Sequence, residues 1–370
     1  MKTVCNENAC TGCNACINIC PKNAIKLNDD LRFLNSIIDE SKCINCNLCK
    51  KICQMNNPVD LVKPIQWNQG WIQDNIIRDS SSSGGLASAL MISFIKSGGC
   101  VCSCVFKNGE FIFEIENNNE NIKKFSGSKY VKSDLKMIYK KILEKIKDKE
   151  KVLFIGLPCQ VAGIKKFIPK SLQSYLYTID LICHGTPSVK VLKKFLEQQD
   201  IRLSDVNDIK FRKNNSFFLS CDGKCFPKED VLDAYTISFL NTLTYTENCY
   251  RCQYAQLARV SDITLGDSWG NDLSRDEQKK GVSLILCQTE KGKELLSMCD
   301  LELKEVDLNK AINNNHQLSH PSIAPKSRIF FLTKLNEGHD FNKMIKKIYP
   351  KTCLKQFVKK LVLTLGLYKK

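Results

Sequence analysis

Apolar runs of strand length, most of them followed by a segment with helical spacing, recur from residue 151 onward. The runs lie at residues 152–155, 177–183, 263–265 and 282–287. Apolar strands that alternate with helices predict an α/β body, in which ligands gather at the carboxyl ends of the strands. The loops at those ends are residues 156–160, 183–187 and 266–270. We expect these loops to line one shared pocket.

A serine- and glycine-rich loop at residues 79–85 leads into an apolar segment with helical spacing at residues 86–95. A loop that runs into a helix N-terminus presents free backbone N–H groups, which suit an anion. Taken alone, the same loop fits a flexible hinge or a helix N-cap equally well.

Three cysteines alternate in the β-like run that follows, at Cys100, Cys102 and Cys104. With a period of two, their side chains face one side of a strand, where three thiols do not readily chelate one ion. Free cysteine packs well as a small hydrophobic side chain. We therefore interpret these three residues as part of the core.

The last segment, residues 354–370, predicts an amphipathic helix. Its apolar stripe consists of Leu354, Phe357, Val358, Leu361, Val362 and Leu365, and lysines surround the stripe. Docking of this helix on the protein's own core is the favoured interpretation. The alternative is a peripheral contact with a membrane surface through residues 354–370.

The size and composition of the chain indicate a globular protein of two or three domains. It has 370 residues, of which 43% are hydrophobic and 25% are charged. Its beginning lacks the apolar core of a signal peptide, and no apolar run is long enough to span a membrane. Twenty-one cysteines without a secretory signal favour a cytoplasmic location and metal binding over disulfides.

The formal net charge of +16 raises the question of nucleic-acid binding. The lysines are scattered among many Asn and Ile residues, however, and no nucleic-acid recognition motif accompanies them. We therefore expect no nucleic-acid partner. Basic residues near a point of electron entry would attract an acidic redox partner, such as a ferredoxin or another oxidoreductase, or an anionic cofactor.

Eight cysteines in the first 53 residues repeat one spacing. They are Cys10, Cys13, Cys16 and Cys20, followed by Pro21, and then Cys43, Cys46, Cys49 and Cys53. In bacterial ferredoxins with this spacing, three close thiolates hold one 4Fe–4S cluster and the fourth reaches the other cluster. We therefore assign the thiols to two crossed sets. One set is Cys10, Cys13, Cys16 and Cys53, and the other is Cys43, Cys46, Cys49 and Cys20.

Zinc is the alternative for paired Cys-x-x-Cys motifs, but it prefers four ligands divided between two separated pairs. Two tandem triplets, each with a fourth cysteine after a longer gap, favour iron–sulfur clusters. Gln54 replaces the proline expected after the second run, and we interpret Cys5 as a bystander. Since clusters make no bonds to substrates, this region predicts an electron conduit.

One more Cys-x-x-Cys pair, Cys249 and Cys252, lies far from the first eight cysteines. A pair is half of a metal site. Cys159 and Cys183, on strand-end loops, are the favoured residues to complete a third cluster. Cys221 and Cys225 are rivals, and a site without metal is a further alternative.

Taken together, these motifs resemble the beta-subunit family of coenzyme F420 hydrogenases and dehydrogenases, with a two-cluster ferredoxin domain in front. In the order of the family, the motifs are SSGG at residues 82–85, GSKY at 127–130, GLPCQ at 156–160, DLICHG at 180–185, CYRC at 249–252 and DITLGD at 262–267. The resemblance implies FAD in the α/β body, a cluster close to it, and hydride exchange with a deazaflavin coenzyme. The fused form is similar to single-chain members from anaerobic bacteria, some of them associated with surface-polysaccharide synthesis.

Residues for the flavin or its phosphates follow from these loops and this resemblance. They are Ser82, Ser83, Gly84, Gly85, Gly156, Pro158, Gln160 and Asp267, with Lys129 as a positive charge near anionic cofactor atoms. His184 is the candidate catalytic residue, which would protonate a substrate or hydrogen-bond the flavin ring. A structural role for this histidine is the alternative.

The predicted fold is of the α+β and α/β classes. It comprises a small bacterial-type two-cluster ferredoxin domain at residues 1–57, a linker at 58–70, an α/β flavin-binding body at 71–147 and 148–310, and a helical tail at 311–370. The expected function is that of an iron–sulfur flavoprotein oxidoreductase, which passes electrons between clusters and FAD and a hydride to a deazaflavin or another small molecule. The alternative is an electron-transfer adaptor that feeds a partner enzyme.

Overall fold

The computed structural model describes residues 2–366, which form thirteen strands and fourteen helices. The strands are β1 (Ile25–Asp29), β2 (Leu34–Ile38), β3 (Gln66–Ile72), β4 (Cys100–Lys107), β5 (Glu110–Glu116), β6 (Val152–Gly156), β7 (Leu176–Leu181), β8 (Ile209–Lys213), β9 (Ser216–Cys221), β10 (Lys224–Cys225), β11 (Ile263–Asp267), β12 (Ser283–Cys287) and β13 (Leu301–Lys304). The helices are α1 (Ala15–Ile19), α2 (Leu48–Ile52), α3 (Asn75–Asp79), α4 (Leu86–Lys96), α5 (Ile138–Lys147), α6 (Pro158–Phe167), α7 (Val189–Glu197), α8 (Ala234–Leu240), α9 (Arg275–Lys280), α10 (Glu290–Ser297), α11 (Leu308–Asn314), α12 (Arg328–Asn336), α13 (Phe341–Ile348) and α14 (Pro350–Thr364).

A mixed eight-stranded sheet forms the centre of the body, in the order β13-β3-β12-β11-β7-β6-β4-β5. Its four central strands, β4, β6, β7 and β11, are parallel, and the flanking strands pair antiparallel. Every residue of β6 is buried, as expected for a strand covered on both faces. The predicted apolar runs thus form strands of one sheet. The three predicted loops follow β6, β7 and β11 and meet at the same edge of the sheet.

The N-terminal segment repeats one small unit, as its cysteine spacing does. Helices α1 and α2 have five residues each and begin after Asn14 and Asn47, whose φ angles are 56° and 57°. Each helix ends at the fourth cysteine of its run, Cys20 or Cys53. Strands β1 and β2 form the antiparallel hairpin between the two helices. This ferredoxin-like segment is called the head below.

The predicted linker at residues 58–70 is wrong at its C-terminal end. Residues 66–70 belong to β3, which pairs with both β12 and β13. A side chain on Gly70 would place its Cβ 2.2 Å from the carbonyl oxygen of Glu302, so glycine permits the pairing with β13. The strand was missed because half of its positions are polar and prolines precede it.

The head and the body share one hydrophobic core. Cys13 and Ala15 of the head pack in the same buried cluster as Tyr139, Val161 and Ile164 of the body. A second cluster lies around α7 and α8, and a third fills the other face of the sheet. The head is therefore attached to the body by packing as well as by the chain.

The C-terminal region is helical, as expected, but the favoured docking of its last helix is wrong. Five residues of the predicted stripe are exposed, and α14 has no buried residue. Polar contacts hold α14 to the body instead: Leu232 donates its backbone N–H to Gln356 Oε1 at 3.0 Å, and Lys359 donates to the carbonyl oxygen of Asp230. The part of the predicted tail at residues 367–370 lies outside the described residues.

Among the helices of residues 2–366, none combines the length and the apolar character that crossing a bilayer requires.

Candidate functional site

The eight N-terminal cysteines form the two crossed groups that the spacing predicts. The outer set, Cys20, Cys43, Cys46 and Cys49, lines one cavity at the surface of the head. The inner set, Cys10, Cys13, Cys16 and Cys53, is buried. Burial, and then the thiols of Cys13, Cys10 and Cys53, raise the pKa of Cys16 well above its ordinary value. Buried thiols that raise one another's pKa ionise readily only when a cation binds them.

Backbone N–H groups point at sulfur atoms in both sets. Gly12 N lies 3.4 Å from Cys10 Sγ, Asn45 N lies 3.4 Å from Cys43 Sγ, and Ala24 N lies 3.3 Å from Cys20 Sγ. Such hydrogen bonds stabilise thiolates and are among the factors that set cluster potentials. No three His, Cys, Asp or Glu side chains within residues 2–366 converge on a single ion, which is the arrangement that zinc would require.

The proposed third set of thiols also comes together. Cys159, Cys183, Cys249 and Cys252, called the body set below, line one cavity of about 590 Å³, including open solvent. Burial, and then Cys249 and Cys252, raise the pKa of Cys183 to about 12. The rivals are elsewhere: Cys221 lies on β9 in a separate hydrophobic cluster, and Cys225 lies on β10.

Gln54, the residue that replaces the expected proline, joins the inner set to the body set. It follows Cys53 in the chain, is fully buried, and donates from Nε2 to the carbonyl oxygen of Cys159 at 2.5 Å. Tyr254 donates its hydroxyl to Gln54 Oε1. A proline at this position would lack the side-chain amide that makes both contacts.

Lys132 and Gly163 bring the head and the body set close together. Lys132 donates from Nζ to the carbonyl oxygen of Thr11 at 3.2 Å and lines the same cavity as the body set. Burial opposes its charge, but the thiols of Cys159, Cys249 and Cys183 raise its pKa. At Gly163 of α6, an added Cβ would lie 3.2 Å from Cys13 Sγ. The inner set therefore packs directly on the helix that carries Cys159.

A large cleft lies beside the body set, at the carboxyl edge of the sheet. It encloses about 1750 Å³, including open solvent, and Cys183 and His184 line both the cleft and the cavity of the body set. Eight of the predicted residues line the cleft: Ser82, Ser83, Gly85, Lys129, Gly156, Gln160, His184 and Asp267. The three predicted loops thus meet in one pocket.

Two predicted cofactor residues do not line the cleft. Gly84 donates its N–H to Ser283 Oγ at 2.9 Å, and an added Cβ would lie 2.4 Å from the carbonyl oxygen of Gly70. Its role is therefore close packing against the sheet. Pro158 is the first residue of α6, where proline is favoured, and it lines the cavity of the body set instead.

One end of the cleft suits an anion. Gly85 precedes α4 with φ +78° and offers no side chain to cap the first N–H groups of this helix, so they are open to a ligand. Lys129 donates from Nζ to the carbonyl oxygens of Phe125 and Ser126 at 2.7 and 3.0 Å. An ammonium group has three donors, so one remains for a ligand. Burial lowers the pKa of Lys129.

Sequence reasoning missed Arg212, which pairs with Asp267 in the wall of the cleft. Its guanidinium nitrogens lie 2.6 and 2.9 Å from the two carboxylate oxygens. Both side chains are largely buried, so the charge of Asp267 is compensated within the protein. Arg212 lies on β8, far from the motifs in sequence, and no local signal marks it.

His184 lies at the junction of the cleft and the body set. The surrounding protein, and then His316, lower its pKa to about 4, although its ring is open to the cleft. Gln317 Nε2 lies 2.7 Å from both His184 Nδ1 and His316 Nε2, so one amide orients the two rings. Near pH 7, His184 is therefore neutral and acts through hydrogen bonds.

Two further polar groups differ in whether they have partners. Gln160, expected to contact a cofactor, accepts from Leu157 N at 2.8 Å and donates to Ser133 Oγ at 3.0 Å, so its amide holds the loop. Thr186 is buried and lines both the cleft and the cavity of the body set. Within the described part of the chain, its hydroxyl has no hydrogen-bond partner.

Comparisons with known proteins agree with this arrangement. Residues 149–310 match the family model for the C terminus of the coenzyme F420 hydrogenase/dehydrogenase beta subunit, and residues 9–57 match that of the 4Fe-4S dicluster domain. None of the curated proteins matches the chain. One similar solved structure is that of the F420-reducing NiFe hydrogenase complex from Methanosarcina barkeri. It is 18% identical, with 78% of this chain and 92% of that chain covered and a TM-score of 0.49. The chain therefore belongs, over residues 149–310, to the coenzyme F420 hydrogenase/dehydrogenase beta-subunit family and carries a 4Fe–4S dicluster domain at its N-terminus.

Proposed function

We propose that this iron–sulfur electron-transfer protein is a flavoprotein oxidoreductase. It would pass electrons between 4Fe–4S clusters and FAD, and a hydride from FAD to a deazaflavin coenzyme or another organic substrate. The observation that carries the proposal is the contiguity of four features, from the exposed outer set through the inner set and the body set to the cleft.

The thiol sets fit clusters because each supplies four cysteines around one space. The outer and inner sets would hold the two clusters of the dicluster domain. The body set would hold a third, since its thiols are buried and compete for ionisation unless iron binds them. Lys132 would offset part of the negative charge between the inner set and the body set.

The cleft fits FAD by its size and by the chemistry of its two ends. The N-terminus of α4 and Lys129 would bind the phosphates at one end. At the other end, the unpartnered hydroxyl of Thr186 and the neutral ring of His184 are available to hydrogen-bond the flavin ring. Bound there, FAD would exchange single electrons with the clusters and a hydride with the substrate.

The residues of the chain would position these groups and exclude water. The aromatic wall next to Lys129 is built from Tyr130, which stacks on Phe239 at 4.4 Å between ring centroids. At Gly185, an added Cβ would lie 2.3 Å from the ring of Tyr245, so the loop after Cys183 packs closely on that ring. These contacts would fix the position of His184 relative to a bound flavin.

The decisive experiment is anaerobic purification of the full-length protein, followed by quantification of iron, sulfide and flavin. One FAD per chain, and oxidation of the reduced protein by a deazaflavin or another organic acceptor with transfer of a hydride, would support the oxidoreductase. Clusters without flavin after reconstitution with FAD would favour an adaptor that passes electrons to a partner enzyme.

A charge-removing substitution tests the proposed phosphate end of the cleft. Lys129→Met is expected to weaken FAD binding about tenfold to a hundredfold, because a hydrogen bond to a charged group contributes roughly 1.5–3 kcal/mol. Flavin titration monitored by fluorescence measures the change. Lys123→Met removes a lysine of an exposed turn outside the cleft, and its FAD affinity is expected to equal that of the wild type. Equal losses in both variants would contradict a specific role for Lys129.

A further inference from the structure

Helix α14 turns its apolar side away from the protein. Leu354, Phe357, Val358, Leu361 and Leu365 follow helical spacing along one face, and between 45% and 69% of each is exposed. An amphipathic surface helix ordinarily buries such a stripe against the core. Something outside the described chain is therefore expected to cover this face.

The side of α14 that faces the body is mainly polar. Gln356 and Lys359 make the hydrogen bonds to the backbone of residues 230–232, and Lys228 donates to the carbonyl oxygen of Leu363 at 3.3 Å. Cys353, near the start of the helix, packs against the body as a half-buried residue. These contacts fix the rotation of the helix, so the apolar face points outward by construction of the fold.

Positive charge surrounds the exposed face. Residues 341–366 contain no acidic residue, and their seven lysines are Lys343, Lys346, Lys347, Lys351, Lys355, Lys359 and Lys360. Lys351, Lys355 and Lys360 are exposed. A second copy of this chain would bring the same positive charge against it, whereas an anionic lipid surface would complement it.

We propose that α14 docks the protein on an anionic membrane surface, with its axis in the plane of the interface. An apolar face that enters the boundary of the headgroups and lysines that contact anionic lipids are the two features of such helices. With 15 residues, α14 is about 22 Å long at 1.5 Å per residue, less than the roughly 30 Å of a bilayer core. The helix therefore lies on the membrane. The enzyme would then act beside a lipid surface, whatever its acceptor.

Flotation of the full-length protein with vesicles tests the proposal. We expect flotation with vesicles of equal parts phosphatidylglycerol and phosphatidylcholine, and much less with phosphatidylcholine alone. The double variant Phe357→Ala/Leu361→Ala is expected to lower the apparent partition coefficient by about tenfold or more, since it removes apolar groups that would enter the interface. Lys355→Gln/Lys360→Gln is expected to lower it by a similar factor on the anionic vesicles.

A matched control removes two exposed lysines from α5. Lys140→Gln/Lys141→Gln changes the net charge equally and is expected to float like the wild type. All substituted side chains are exposed, so thermal unfolding and iron and flavin content should stay unchanged, which separates this test from that of the proposed function. Absence of flotation by the wild type, or wild-type flotation of the Phe357/Leu361 variant, would overturn the proposal. So would a dimer without vesicle binding that this variant converts to monomers.

Discussion

Cys252→Ser is expected to lower the iron content of the anaerobically prepared full-length protein from about twelve to about eight atoms per chain. The body set draws its thiols from three places, the start of α6, the loop after β7 and the turn at Cys249–Cys252. None of them can bind a cluster alone. Removal of one thiolate from a four-ligand site therefore removes the cluster, while the two sets in the head remain complete.

The matched control for this prediction is Cys225→Ser. Cys225 was a rival ligand by sequence, but it lies on the short strand β10, beside β9 and away from the body set. Its replacement is expected to leave about twelve irons per chain. A wild-type protein with about eight irons, unchanged in Cys252→Ser, would show that the body set holds no cluster.

FAD content of Cys252→Ser separates a lost cluster from a damaged fold. Cys183 and His184 line both cavities, but the phosphate end of the cleft, at Gly85 and Lys129, is formed by other elements. We therefore expect the variant to retain its flavin and to lose rapid reduction of that flavin through the head. A flavin-free variant with an intact far-ultraviolet circular dichroism spectrum would mean that Cys252 acts on the cleft directly.

The features that could be predicted from sequence depend on local spacing or on the geometry of parallel sheets. The crossed cysteine sets follow from the reach of short loops, and the strand-end loops meet because parallel strands share one edge. The grouping of Cys159 and Cys183 with Cys249 and Cys252 rested on the same edge argument. In each case the pattern within a short segment determined the position of the side chain.

The features that were missed depend on contacts between distant segments. Arg212 reaches Asp267 across 55 residues, and Gln54 reaches Tyr254 across 200. A single sequence contains no signal for such pairs, because each partner is ordinary in its own surroundings. The error at Gly84 has a related cause, since a glycine required for close backbone packing looks like one required for a ligand. The amphipathic pattern of α14 was read correctly, but a pattern does not say which side of a helix faces the protein.

The head itself provides the last prediction, because its two thiol sets differ in their surroundings. Cys46 of the outer set is exposed, whereas Cys13 of the inner set is buried in the core that the head shares with the body. Cys46→Ser and Cys13→Ser are each expected to lose about four irons per chain. Their effects on stability should differ, since ligation of the inner set also holds the packing of α6 and Tyr139.

We expect Cys13→Ser to lower the free energy of unfolding by more than about 3 kcal/mol, with a much smaller loss for Cys46→Ser. Anaerobic thermal or denaturant unfolding, followed by the fluorescence of the body tryptophans, measures the difference. Equal losses in the two variants would contradict the coupling of the inner set to the body. In Cys46→Ser the inner set, the body set and the cleft stay intact, so a small reductant should still reduce the flavin. A protein donor that docks at the outer set should not, because this variant lacks only the exposed point of electron entry.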